Sequence, residues 1–246
     1  MSMIKRLIAT IAMAASAGAF AAGSGYEPVS ARVNLDDEAS LQRGAKMFVN
    51  YCLSCHSAAF MRYNRTGADL GLTDAQVAEN LMFTTDKVGN AMTVAMSQTD
   101  AERWFGVVPP DLSVIARSRG ADWLYTYMMT FYRDDSRPNG VNNLMFPAVG
   151  MPHVMERLQG VQQLRTLPEG AKAPSNPLDA LELVEPGSRS AGQYSKDMRD
   201  LVNYLVYLGE PAKLERYGLG FKVVLFLLLF TFLARALYKE FWRDVH

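Results

Sequence analysis

The chain has 246 residues, 25 basic and 25 acidic side chains for a formal charge of zero, and 49% hydrophobic residues. That length suits one good-sized domain plus extras, and a balanced charge without basic runs in the body argues against a nucleic-acid partner. Two cysteines and three histidines are too few to make a four-ligand zinc site a natural reading.

In chain order, residues 1–21 carry Lys5 and Arg6, then an apolar stretch over 7–20, then Ala19-Phe20-Ala21. This is the layout of an export leader cleaved after Ala21; as a membrane anchor the run is short and alanine-rich. Residues 23–34 are polar and contain proline, an extended arm. Asp36, Asp37 and Glu38 then favour a helix start. Leu41, Ala45, Phe48, Val49 and Cys52 fall at helical spacing, so one amphipathic helix is predicted to deliver its last turn to Cys52-Leu53-Ser54-Cys55-His56.

Cys-x-x-Cys-His is the attachment signature of a c-type haem. Two thiols three residues apart reach the two vinyl groups on one porphyrin edge, and the following histidine can supply the proximal imidazole. A disulfide here closes a very small loop, and a thioredoxin-like pair wants a βαβ context that the sequence lacks. One covalent haem c, held by Cys52 and Cys55 and ligated by His56, is the expectation.

Residues 57–65 hold aromatics and arginines that either wrap a haem edge or pack elsewhere. Residues 72–82 are predicted as a short helix with Thr73 and Gln76 as a capping box, and residues 89–105 as loop with some helix. Pro109-Pro110-Asp111-Leu112-Ser113 is a rigid wall. Beside a proximal histidine, its backbone carbonyl at Pro110 can orient the imidazole; equally, Asp111 or Ser113 can cap a following helix. That helix, 114–119, carries Arg117 and Arg119, either of which is a candidate partner for a haem propionate. Residues 123–132 are aromatic-rich and predicted to pack in the core. Residues 133–143 are a loop.

A sixth ligand that suits both iron oxidation states is a thioether. The chain has 14 methionines, most of which must be core filler. Met151 stands out between Gly150 and Pro152 in an irregular segment, with Met92, Met96, Met145 and His153 as competitors. Residues 159–193 are a long excursion with a possible hairpin at Glu185-Pro186-Gly187-Ser188. Ser190 and Gln193 can box the start of a helix whose stripe of Met198, Leu201, Val202, Leu205 and Leu208 packs across the first helix. Gly209, Glu210 and Pro211 end it. Residues 217–237 then form an apolar stretch of about 30 Å as a helix, the thickness of a bilayer core, without the polar face of a core helix. Arg235, Lys239 and Arg243 put the C-terminus in the cytoplasm by the positive-inside rule.

The expected architecture is mainly α: a cytochrome c-like haem domain with long loops and one C-terminal transmembrane helix. The expected divisions are a cleaved leader (1–21), an exported haem domain (22–214), an anchor (215–238) and a cytoplasmic tail (239–246).

Taken together, YCLSCHS at 51–57, MRYNR at 61–65, PPDLS at 109–113, GMP at 150–152, DLVNYLVYLGEP at 200–211, the leader and the C-terminal anchor resemble the cytochrome c1 family of the bacterial cytochrome bc1 complex, ubiquinol–cytochrome c reductase. The resemblance covers essentially the whole mature chain. It implies Cys52 and Cys55 as haem attachments, His56 and Met151 as iron ligands, Arg119 rather than Arg117 at the propionates, and Pro110 beside the haem. Two departures stand out. Family members often have Met-Ala-Pro where this chain has Met151-Pro152, and Trp123 occupies the place of a tyrosine near the propionates.

The implied role is a one-electron relay. The chain takes electrons from the Rieske iron–sulfur protein after quinol oxidation at cytochrome b and reduces a soluble or membrane-bound cytochrome c. Within the chain itself no substrate bond is made or broken. The implied location is the bacterial cytoplasmic membrane, single-pass, with the haem domain in the periplasm. Asp134 and Asp135 are candidates for docking a basic cytochrome c, or are simply a solvated loop. Two rivals share the haem chemistry: a free-standing anchored cytochrome c feeding a terminal oxidase, and a haem-based gas sensor with an open sixth site.

Overall fold

Helix α1 (Glu38–Met47) begins at the acidic run: the Asp37 carboxylate accepts the Ser40 N–H at 2.9 Å, satisfying one of the free donors of the first turn. The computed structural model describes residues 25–94, 96–166, 168 and 174–244, and the expected leader over 1–21 lies outside them. The helix does not run on unchanged to Cys52. Residues Phe48–Cys52 form a π turn, closed by the Leu53 N–H donating to the Phe48 carbonyl five residues back at 3.0 Å. Such single wide turns gather at functional sites, and hydrophobic spacing alone does not distinguish them from an α turn.

Strand β1 (Ala58–Arg62) pairs antiparallel with β2 (Ala91–Met92). Between them lie helices α2 (Tyr63–Asp69) and α3 (Asp74–Asn80). The box predicted for α3 is present: Thr73 Oγ1 accepts from Gln76 N at 3.3 Å, and Gln76 Oε1 accepts from Thr73 N at 2.9 Å. Of the two open alternatives for 57–65, the structure takes the second. Met61 and Tyr63 are buried in the core while Phe60 is 81% exposed. Helices α4 (Gln98–Phe105), α5 (Ile115–Arg119) and α6 (Ala121–Met129) follow, then a hairpin of β3 (Phe131–Arg133) with β4 (Val141–Asn143) and the short helix α7 (Glu156–Gln159).

Residues 160–186 do form a hairpin, but its turn is not at 185–188. Strand β5 (Gly160–Leu164) pairs with β6 (Leu181–Pro186), so Glu185 and Pro186 end the second strand rather than turn the chain. Gly187 lies backbone to backbone against Gln159 and Gly160 at the hairpin base, where a Cβ would meet the Gly160 nitrogen at 2.5 Å. The Pro-Gly signal therefore marks a close approach rather than a reversal.

Helix α8 (Ala191–Gly209) starts with the predicted box. Ser190 Oγ accepts from Gln193 N at 3.3 Å, and Gln193 Oε1 accepts from Ser190 N at 3.0 Å. Ser190→Ala is expected to cost about 1 kcal/mol and to lower the thermal midpoint by about 2–4 °C in a domain of this size; a melt followed by far-UV circular dichroism checks it. The stripe Met198, Leu201, Val202, Leu205 and Leu208 is buried, and α8 crosses α1. Asp200, buried at the crossing, accepts from Ser40 Oγ at 2.6 Å and from Arg43 Nε at 2.6 Å. Helices dominate, and the strands described make three separate two-stranded ribbons. Helix α9 (Lys213–Phe241) has 29 residues, about 44 Å at 1.5 Å per residue. It includes 215–238, its side chains from residue 215 onward are exposed, and it is long and apolar enough to cross a membrane. It fits a single-pass anchor.

Candidate functional site

One tight turn sets the first wall. The Cys52 carbonyl accepts the N–H of both Cys55, at 3.0 Å, and His56, at 2.8 Å, and all three side chains line one cavity. The two cysteines form no disulfide. Burial, with Cys55 alongside, pushes the Cys52 thiol up to about 12. The cavity encloses about 450 Å³ and is lined almost entirely by apolar side chains, within the size range of cofactor sites.

His56 Nδ1 lies 2.7 Å from the Pro110 carbonyl. A carbonyl only accepts, so Nδ1 carries the proton and Nε2 keeps its lone pair. Burial lowers the His56 pKa, opposed by the Pro110 bond and the Asp111 charge, which favours the neutral ring. The wall that holds this carbonyl is itself fastened. Leu112 N–H donates to the Ser57 carbonyl at 2.7 Å, Ala59 N–H to Asp111 Oδ2 at 2.8 Å, and Phe60 N–H to Ser113 Oγ at 3.1 Å. The helix-cap alternative for Asp111 and Ser113 is not taken up. The residue before α5 is Val114, with no side-chain cap, because both polar side chains are spent tying this wall to β1.

Met151 lines the same cavity, and Tyr127 Oη donates to its Sδ at 3.3 Å. The competitors lie elsewhere. Met92 is buried under Tyr204, whose hydroxyl reaches its sulfur at 3.5 Å, and neither Met96 nor Met145 lines the cavity. His153 stacks on Phe131 with ring centroids 4.8 Å apart and planes at 4°, beside a separate void of about 30 Å³. Burial pushes its pKa down to about 4. Gln159 favours the protonated form from nearby, but neither ring nitrogen of His153 completes a hydrogen bond.

The β3–β4 hairpin cradles the Met151 loop. Asn139 Nδ2 reaches the carbonyls of Gly150 and Met151, both at 3.4 Å, and Arg137 donates to the Ala148 carbonyl at 3.1 Å. Asn142 Oδ1 accepts the Ala148 N–H at 2.9 Å, holding Ala148 at φ +62°. Asp134 is engaged inside its own turn by Ser136 and Asn142, whose hydrogen bonds hold its carboxyl below the usual range; Asp135 is exposed.

Arg119 lines the cavity, its guanidinium 5.1 Å from the Trp123 ring centroid and 5.8 Å from that of Phe146. Among the described residues no carboxylate pairs with it. Arg117 instead packs against the helix end at Gly209. The α6 stretch is more than core: Trp123, Leu124, Tyr127 and Met128 form a cavity wall, and Leu201 and Leu205 of α8 also reach it. The i, i+4 spacing of Trp123 and Tyr127 is the signal that places both on one face.

The donor set suits an iron porphyrin. Two cysteine sulfurs, an imidazole, a thioether and a guanidinium that has no ion-pair partner among the described residues all line an otherwise apolar cavity. Fold and site together define a haem-binding electron-transfer domain carried on a C-terminal apolar helix. A family model described as "Cytochrome C1 family" matches residues 30–245. Cytochrome c1 of Allochromatium vinosum is 47% identical over 244 residues, 99% of this chain and 100% of that one. A protein of Nitrosomonas europaea named ammonia monooxygenase gamma subunit is 47% identical over 246 residues, 100% of both chains. "Cytochrome c1 2, heme protein, mitochondrial" of Arabidopsis thaliana is 27% identical, spanning 83% of this chain and 66% of its own. The chain belongs to the cytochrome c1 family.

Proposed function

We propose that the chain relays single electrons within a cytochrome bc1 complex, from the Rieske iron–sulfur protein to a soluble or membrane-bound cytochrome c. The observation that carries this reading is the meeting of Cys52, Cys55, His56 and Met151 in one apolar cavity. When bound, haem supplies a one-electron iron couple. The two thiols would attach it through thioethers, and His56 and Met151 would ligate its iron. The Pro110 carbonyl keeps the His56 proton on Nδ1 and so keeps Nε2 free for the metal. Arg119 would meet a propionate. The apolar lining excludes water, which favours the reduced state and limits reorganisation.

The domain reading accompanies this role. Residues 1–21 act as an export leader, 22–214 as the periplasmic haem domain, 215–238 as the span and 239–246 as a cytoplasmic tail. The cluster of Arg235, Lys239 and Arg243 supports that orientation in the bacterial cytoplasmic membrane.

Two measurements on membrane extracts test the proposal. In denaturing gels the wild type should keep a haem-stained band, and Cys52→Ala/Cys55→Ala should lose it. Co-purification should bring cytochrome b and the Rieske protein. Recovery with a monooxygenase, as the name of the Nitrosomonas relative suggests for that protein, would overturn the assembly. So would recovery with a terminal oxidase alone. A wild type that binds CO would favour the sensor.

A further inference from the structure

Tyr127 stands one α-helical turn beyond Trp123 on the cavity wall, and among the described residues it is the only side chain with a polar contact to the Met151 sulfur. Its ring is clamped on two sides. Trp123 stacks on it with centroids at 5.1 Å and planes at 10°, and Phe131 meets it edge-on at 5.0 Å and 71°. Phe131 in turn stacks on His153, two residues beyond Met151. With the Arg119 guanidinium over Trp123, these contacts make one column that runs from Arg119 to His153. The phenol cannot swing away without breaking this stack.

A thioether sulfur has two lone pairs. If one goes to a metal, the other can accept from Tyr127, and a hydrogen bond there draws electron density out of the sulfur. The ferric ion depends more on that donation than the ferrous ion. Withdrawing density therefore raises the potential and weakens the bond of the oxidised state.

We infer that Tyr127 is a positioning residue that fixes the Met151 thioether by a hydrogen bond to its second lone pair and thereby sets the reduction potential upward. The inference rests on Met151 as an iron ligand, as proposed above. A purely space-filling role predicts no effect of the hydroxyl, because phenylalanine keeps the ring and its two stacking partners.

The test uses the full-length haem-loaded protein in membrane extracts, comparing wild type, Tyr127→Phe and Tyr125→Phe. Tyr125 lies on the same helix but bonds Ser195 Oγ at 2.9 Å, outside the cavity. Three readouts apply: the midpoint potential, the sulfur-to-ferric-iron charge-transfer band, and the affinity of the ferric form for cyanide. Tyr127→Phe is expected to keep the band, lower the potential and bind cyanide several-fold more weakly, while Tyr125→Phe changes none of these. An intact band with unchanged potential and cyanide affinity would overturn the tuning role and leave Met151 as ligand. Loss of the band in Tyr127→Phe would overturn the stated direction, since the hydroxyl would then be holding the sulfur on. A wild type without the band would overturn the Met151 assignment and the inference together.

Discussion

The Met151→Leu variant is expected to bind CO when reduced, where the wild type binds none, and to lose on the order of a few hundred millivolts of potential. Axial ligands command roughly 0.8 V of haem potential, and methionine sits at the high end. The substitution conserves volume, so its packing cost is below about 1.5 kcal/mol. The loop does not depend on the sulfur for its place, because Asn139, Arg137 and Asn142 hold its backbone. The sixth position should therefore open without collapse of the fold. His153 is not available as a substitute, since its ring is stacked on Phe131 beside a different void. His153→Phe, which keeps that stack, should remain silent to CO. Carbon monoxide difference spectra and a redox titration check both variants. A CO-silent Met151→Leu would remove Met151 from the ligand set.

How much of the fold and the site is legible in the sequence depends on the range of the interaction. The CxxCH turn, the caps at Thr73 and Ser190 and the apolar run of α9 are local patterns, and each appears where the sequence places it. The Pro110 carbonyl was legible as a possibility only, because its use depends on β1 meeting the 109–113 wall across more than fifty residues. Sequence does not locate the hairpin turn, because Pro186-Gly187 looks the same whether it reverses the chain or allows two backbones to touch. The α6 wall is not distinguishable in the sequence, because an aromatic i, i+4 face serves a core and a cofactor cavity equally well. The asparagine cradle gave no signal at all: Asn139 and Asn142 lie in a segment that reads as an ordinary polar loop.

Gly44 is the other such silent position, and it carries a prediction whose sign separates two physical effects. Judged by helix propensity alone, alanine in the middle of α1 should stabilise by about 1 kcal/mol. The crossing with α8 predicts the opposite. A Cβ at residue 44 would overlap the Asp200 carbonyl oxygen and lie 2.7 Å from Tyr204 Cβ and 2.8 Å from the Asp200 carbonyl carbon. These are backbone and near-backbone atoms, so no side-chain rotation relieves the overlap. The helices cannot easily part either, because Asp200 grips Ser40, one turn before Gly44, and Arg43, the residue next to it. Overpacking costs about 1–3 kcal/mol, and more where backbone must move, so it outweighs the propensity gain. Gly44→Ala is expected to lose roughly 2–3 kcal/mol and about 5–10 °C in midpoint at this chain length. Gly44→Val should leave little haem-loaded protein in the membrane, since α1 ends in the Cys52–His56 turn and α8 contributes Leu201 and Leu205 to the same cavity. Thermal melts followed at the haem absorbance and by far-UV circular dichroism decide it. A Gly44→Ala protein as stable as wild type, or more so, would mean that the helix crossing has slack and that propensity rules at this position.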